Sequence, residues 1–348
     1  MRKSSLTTTV CAALALMPLA LSPLTAVAQP ALKRAELNTT ALAKIQPAQL
    51  SQLKLIAQRQ DQRLLQAFRG KEALKASMEA ELRVIQQESD EDKREGLMKA
   101  YQAKNKAAYQ AALRESNVDL NAMAREMAVA APDMDFRVTD NLSIVAAPKM
   151  QAASRKSAPA SESLPAPTPS RKVKNLVTED YTISKDVGCG QIAGGEINVS
   201  GGYMTNKAVA ISTGGCENEG EYLHEFRIRS NETVDATMTV DMTARAQAVG
   251  IFGSAASTSS VSARIVGSES QPGDGDGVSC TAFAPALWVA NEECELLNVR
   301  LNARFTRPGT YALTAQTRTY ILTALNIGGA SGEARIKKLR GTLVTESR

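Results

Sequence analysis

Aromatic residues make up only 4% of the 348-residue chain, with one tryptophan, Trp288, and one histidine, His224. A single imidazole excludes every site that needs two, including metalloprotease-type and three-histidine zinc centres. Scarce aromatics also deprive the chain of a stacking surface for single strands, so no nucleic-acid partner is expected. Beyond the N-terminus no stretch approaches the ~20 apolar residues of a transmembrane helix. A serine nucleophile elbow is missing too, because Gly328-Gly329-Ala330-Ser331-Gly332 is out of frame for Gly-x-Ser-x-Gly. Length allows two domains, and 43% hydrophobic residues with 22% charged are ordinary for a folded chain.

What is present begins with a targeting signal. Arg2 and Lys3 precede an apolar run from Val10 to Leu21, and Ala26-Val27-Ala28 supplies a small-x-small cleavage site. Residues 1–28 are therefore expected to be removed on export, with a destination in the periplasm, at the cell surface or outside the cell. Cleavage discards Cys11 and leaves Cys189, Cys216, Cys280 and Cys294. An even set in an oxidising compartment points to two disulfides. Three connectivities are open; sequential pairing, Cys189–Cys216 and Cys280–Cys294, is favoured because each pair encloses one short segment. A four-thiolate zinc site lacks the close paired spacings it needs.

Organisation follows from periodicity. Pro30 to Met134 is expected to be α-helical, in three to four amphipathic helices. Pro47 suits a first helical position, and Leu53, Ala57, Leu64 and Phe68 recur at helical spacing up to Gly70. Leu74, Met78, Leu82 and Ile85 form a second stripe. Leu97, Tyr101, Ala108, Ala112 and Leu113 form a third, behind the acidic cluster Glu88–Asp92, which marks a turn or an acidic helix start. Leu120, Met123 and Met127 form a shorter fourth. Such narrow stripes must pack on each other or on a partner. Phe136 to Val145 is a short strand or an extended tail. Pro148 to Asn175 is rich in Ser, Ala, Pro, Lys and Arg and is expected to be a linker.

Past the linker the period becomes two. Val234, Ala236, Met238, Val240 and Met242 share one face, as do Val299, Leu301, Ala303 and Phe305. Further strands are expected over Leu176–Ile183, Ala208–Thr213, Tyr222–Arg229, Ser260–Val266, Thr281–Val289, Tyr311–Ala324 and Glu333–Thr345, many separated by glycine-rich breaks. The fold class is therefore a mainly β C-terminal domain, Leu176 to Glu346, as an antiparallel, disulfide-bonded β-sandwich or jelly roll. An α-helical N-terminal region precedes it, so α and β are segregated along the chain. An outer-membrane barrel would need aromatic girdles that the composition does not supply.

Few residues point to chemistry. His224 alternates with Tyr222, Phe226 and Ile228, so it belongs to the apolar side of its strand, while Glu225 faces away. Glu217, Glu219 and Glu221 form one acidic group and Glu292 and Glu293 another; paired carboxylates are the requirement for glycoside hydrolysis. No catalytic residue and no organic cofactor is assigned. Asp274 and Asp276, in Gln271-Pro272-Gly273-Asp274-Gly275-Asp276-Gly277, resemble half of a calcium loop, but the third ligand position and distal glutamate of an EF-hand are missing, and a flexible loop is expected there.

Charge divides with the chain: the formal net charge of +5 comes from a basic first half and an acidic β-region. The sequence is read as an exported, non-enzymatic envelope interaction or binding protein. Its helices would associate with themselves or with a protein or cell-envelope partner, and its β-domain would bind a ligand or partner. The alternatives are a carboxylate-dependent hydrolase in the β-domain and a purely structural envelope component. Signal, helices, linker and cross-linked β-domain are a common order among exported bacterial envelope proteins, a likeness of architecture alone.

Overall fold

Local signals set the four helices. α1 spans Pro47–Ala67, begins on its proline, and is followed by Gly70 in the left-handed region at φ +79°. α2 covers Glu72–Gln87 and α3 covers Glu91–Glu115. The acidic cluster between them is both turn and cap, since the Asp90 carboxylate accepts from the backbone N–H groups of Asp92 and Lys93 at 3.1 and 3.0 Å. α4, Leu120–Ala130, is capped in the same way by Asp119.

A computed structural model describes residues 47–148, 170–189, 193–211, 215–268, 271–323 and 328–347, all within the unit Asn38–Arg348. The segment expected to be a signal, and residues 149–169 of the expected linker, lie outside the described residues. Ser170–Leu176, at the end of the stretch expected to be a linker, forms strand β3.

After α4 comes a hairpin, β1 (Met134–Val138) and β2 (Ile144–Pro148), where a strand or tail was expected. The remaining strands are β4 (Thr182–Cys189), β5 (Ala193–Ser200), β6 (Tyr203–Ile211), β7 (Gly215–Ile228), β8 (Glu232–Gly250), β9 (Ala255–Val266), β10 (Asp274–Ala284), β11 (Trp288–Phe305), β12 (Gly309–Thr323) and β13 (Gly328–Ser347). They form two antiparallel sheets. One is seven-stranded in the order β1-β2-β10-β9-β12-β7-β4; the other is six-stranded, β11-β8-β13-β6-β5 with β3 also on β13. Within the run from β4 onward, the hairpins β5–β6 and β9–β10 stay in one sheet and the other successive strands change sheet. The expected sandwich of jelly-roll kind is what the chain builds.

Some segment limits differ from the sequence reading. Leu176–Ile183 is not one strand, because the 3-10 turn Thr178–Asp180 separates β3 from β4. Thr281–Val289 is likewise broken at Pro285–Leu287, where the chain passes from one sheet to the other. Asp274 to Gly277 is strand rather than loop: it pairs with Ile265 to Ser262, and both glycines lie where side chains of β9 pass, Gly275 against Arg264 and Gly277 against Ser262. The four cysteines sit in strands. Cys189 and Cys216 are directly opposed on β4 and β7, whereas Cys280–Cys294 joins β10 to β11 across the sandwich. Only the second bridge cross-links the two layers.

The sandwich interior changes character along its length. At one end Val234, Met238, Val240 and Met242 of β8 meet Tyr222, Leu313, Phe305 and Ile336. Further along β8 the inward positions are Ala244, Ala246 and Ala248, packed with other alanines and the cysteines. There the Ser257 hydroxyl of one sheet donates to the Ser331 carbonyl of the other at 2.7 Å. So short a side chain reaches across only if the backbones lie well inside the usual ~10 Å sheet spacing.

The helices cover this small-residue end. Trp288 is fully buried and stacked on Tyr109 with ring centroids 4.2 Å apart. The Tyr101 and Tyr109 hydroxyls donate to the carbonyls of Leu287 and Ala286 at 2.8 and 3.2 Å. The apolar stripes of the helices thus pack on each other and on the sandwich end, forming one core with Val249, Ile251 and Leu287.

On β8, Asp241 holds the two neighbouring strands where each bulges. Its Oδ1 accepts from Asn298 N of β11 at 2.7 Å, and its Oδ2 pairs with Lys338 Nζ of β13 at 2.8 Å. Asn298 and Lys338 are both left-handed, at φ +56° and +55°, and the register of each strand against β8 shifts there.

Candidate functional site

Strand alternation decides what the outer face of the seven-stranded sheet presents. On β7, Cys216, Asn218, Gly220 and Tyr222 point into the sandwich, so Glu217, Glu219 and Glu221 point out. The register then aligns rows across β4, β7, β12, β9 and β10. One row is Asp186, Glu219, Arg318, Ser260 and Ser279; its neighbour is Ser184, Glu221, Gln316, Ser262 and Gly277.

This face is organised rather than loosely solvated. Arg318 pairs with Glu217, and Gln316 Nε2 donates to Glu221 Oε1 at 2.8 Å. Ser260 and Ser262 are only 4% and 5% exposed although they point outward, because long neighbours crowd them. Burial lowers the Arg264 and Arg318 pKa values, while nearby Tyr320 has its own raised by desolvation. The result is a strip of donors and acceptors with restricted side chains, bounded at one end by the Cys189–Cys216 bridge.

The sequence-selected residues fall in different places. Glu217, Glu219 and Glu221 come together with Gln316 and Arg318. Glu292 and Glu293 belong to the other sheet, on β11, and pair with Arg137 at 2.8 Å and Arg245 at 3.2 Å. His224 lies at the rim of the interior, its Nδ1 donating to the Asp180 carbonyl at 2.6 Å. The Asp274 carboxylate accepts from Gly275 N and from Asn302 N, and Asp276 accepts from Gly277 N. Among the described residues no group of three His, Cys, Asp or Glu side chains is placed to hold a metal ion. Gln316, Arg318 and Tyr320 were not singled out from sequence; their i, i+2, i+4 spacing on a strand is the signal that marks them as one face.

Chemically the strip offers carboxylates, an amide, a guanidinium and hydroxyls side by side. Glycoside hydrolysis needs one carboxyl kept protonated as an acid. Here Glu217 is paired with Arg318 and Glu221 accepts from the Gln316 amide.

No family model matches the chain, and no curated protein does. Among solved structures, a family 11 carbohydrate-binding module from Clostridium thermocellum in complex with a beta-1,3-1,4-mixed-linked tetrasaccharide aligns over 47% of this chain and 94% of its own, at 9% identity and TM-score 0.17. TmCBM61 in complex with beta-1,4-galactotriose aligns over 45% of this chain and 86% of its own, at 8% identity and TM-score 0.14. Likenesses this distant carry no ligand over to this chain.

Proposed function

We propose that the chain is an exported binding protein whose recognition surface is the outer face of the seven-stranded sheet. The observation that carries this is the row Asp186–Glu219–Arg318–Ser260–Ser279, which spans five strands and presents acid, base and hydroxyls side by side. Such a row suits a polar envelope polymer whose own groups both donate and accept hydrogen bonds. Export is supported by the two disulfides, which persist in oxidising compartments. Among the described residues no helix is long and apolar enough to cross a membrane.

The helices serve this reading as a brace on the sandwich end. Their exposed apolar residues, Leu55, Val84, Leu97 and Val129, are the positions left for a second copy or an envelope partner. The test is retention of the purified chain on immobilised neutral and acidic envelope polysaccharides, comparing wild type with Gln316→Ala/Arg318→Ala. Saturable retention that falls at least tenfold in the double variant supports the reading. Equal retention of both proteins, or none of the wild type, rejects it and favours a structural component.

A further inference from the structure

Next to that polar strip, where α1 and α4 lie over the same sheet face beside its edge strand β1, the structure leaves an apolar cavity of about 50 Å³. Its walls are Leu53 and Ala57 of α1, Met127 of α4 and Phe136 of β1, and its floor includes Ala256 of β9 and Phe283 of β10. Two threonines on the floor, Thr258 and Thr281, bond each other at 3.0 Å, so they direct little hydrogen-bonding capacity upward. The floor is therefore dry in character although both its strands carry hydroxyls, and a cavity of this kind favours apolar atoms over water.

Lys54 also lines the cavity. It is half-buried, and among the described residues its side chain has no hydrogen bond or ion pair. A lysine stem along apolar walls with its ammonium toward water is a common arrangement, and among the described residues no carboxylate pairs with this one. Tyr320, at the border with the polar strip, adds a phenol hydroxyl to the same surroundings. Apolar walls with a lysine at the rim suit an occupant with an alkyl end and a negative head.

We propose that this cavity binds the alkyl end of a medium-chain monocarboxylate, with the carboxylate received by Lys54. The cavity takes the terminal carbons, and the remaining chain lies along its mouth toward α1. This site does not depend on the polymer-binding reading, since a simple alkanoate carries none of the hydroxyls that the neighbouring strip would recognise.

Calorimetric titration of the purified chain with octanoate, 1-octanol and octylamine tests it. The expected result is saturable octanoate binding, at least tenfold tighter than 1-octanol of the same length. Ala256→Leu, which fills the floor, is expected to abolish binding of both. Lys54→Glu, on a half-exposed helix position, is expected to abolish octanoate binding and to prefer octylamine, and it decides the matter by itself should the Ala256→Leu variant fold poorly. No saturable octanoate binding, equal affinity for octanoate and octanol, or unchanged octanoate binding in Lys54→Glu overturns the proposal.

Discussion

Asp61 of α1 and Ser254 of the β8–β9 corner are joined by both a side-chain and a main-chain bond. The Asp61 carboxylate accepts from the Ser254 hydroxyl at 2.7 Å and from its backbone N–H at 2.8 Å, and it takes a further bond from Ala286 N at 2.9 Å. One buried carboxylate thus satisfies two backbone donors at the points where the chain changes sheet, and it fixes α1 on the sandwich end. A buried charge is tolerated there because its oxygens are filled with donors.

Removing that acceptor leaves the donors stranded. Asp61→Ala should destabilise the fold by about 3 kcal/mol, the cost of buried backbone groups left without partners. Urea denaturation followed by Trp288 emission checks it, since the single tryptophan lies in the same junction. A change below about 1 kcal/mol would mean that water replaces the carboxylate without loss.

The pH dependence carries two opposite signs. Burial raises the Asp61 pKa above the ordinary 3.8, against the lowering effect of its donors. As pH rises from 3.8 through the higher folded value, the native state still holds a proton that the unfolded chain has released, so stability falls across that window. Asp61→Asn should flatten this slope. Asp241 behaves the other way: Lys338, then the Asn298 N–H, lowers its pKa. Its contribution is fully present above 3.8 and is lost as pH falls through the lower folded value. Denaturation curves from about pH 2.5 to about pH 7 for wild type, Asp61→Asn and Asp241→Asn separate the two.

The two disulfides should not be equivalent in what they hold together. Cys280–Cys294 closes a separation of 14 residues and is the bridge between sheets. Replacing both of its cysteines by alanine should cost about 3 kcal/mol by the chain-entropy relation. Replacing Cys189 and Cys216 removes a link between strands already paired along their length. Its distinctive effect should be faster amide exchange in β4, with the β10–β11 protection unchanged.

Gly332 tests the close approach of the sheets. A Cβ built there lies 2.6 Å from Ser259 Oγ and 2.9 Å from Ser257 Oγ. Gly332→Ala should therefore destabilise by about 2 kcal/mol through overpacking. A neutral thermal shift would show that the layers separate easily at this end.

Helix placement was legible because its signals are local. Pro47, Gly70 and the acidic cluster Glu88–Asp92 each mark a boundary through their own backbone chemistry, and the Leu and Met stripes repeat at the helical period; the Asp119 cap was not read. The strands with large inward residues, such as Val234 to Met242, were equally plain. The continuation of β8 through Ala244, Ala246 and Ala248 was harder, because alanine gives little contrast between the two faces. Of the site, the three glutamates were visible as a cluster. Their partners Gln316 and Arg318 lie about a hundred residues further on and meet them only through strand register.

Sequence by itself determined the division into helical and extended halves, since hydrophobic period and capping act over a few residues. It also limited the chemistry, through one histidine and few aromatics, and favoured the cysteine pairing by separation along the chain. Only the tertiary structure decided which bridge spans the sheets, that the helical stripes close on the sandwich end, and that acid, arginine and hydroxyl line up across five strands. Those outcomes depend on register and sheet switching, which are settled by packing between residues far apart in the chain rather than by any local preference.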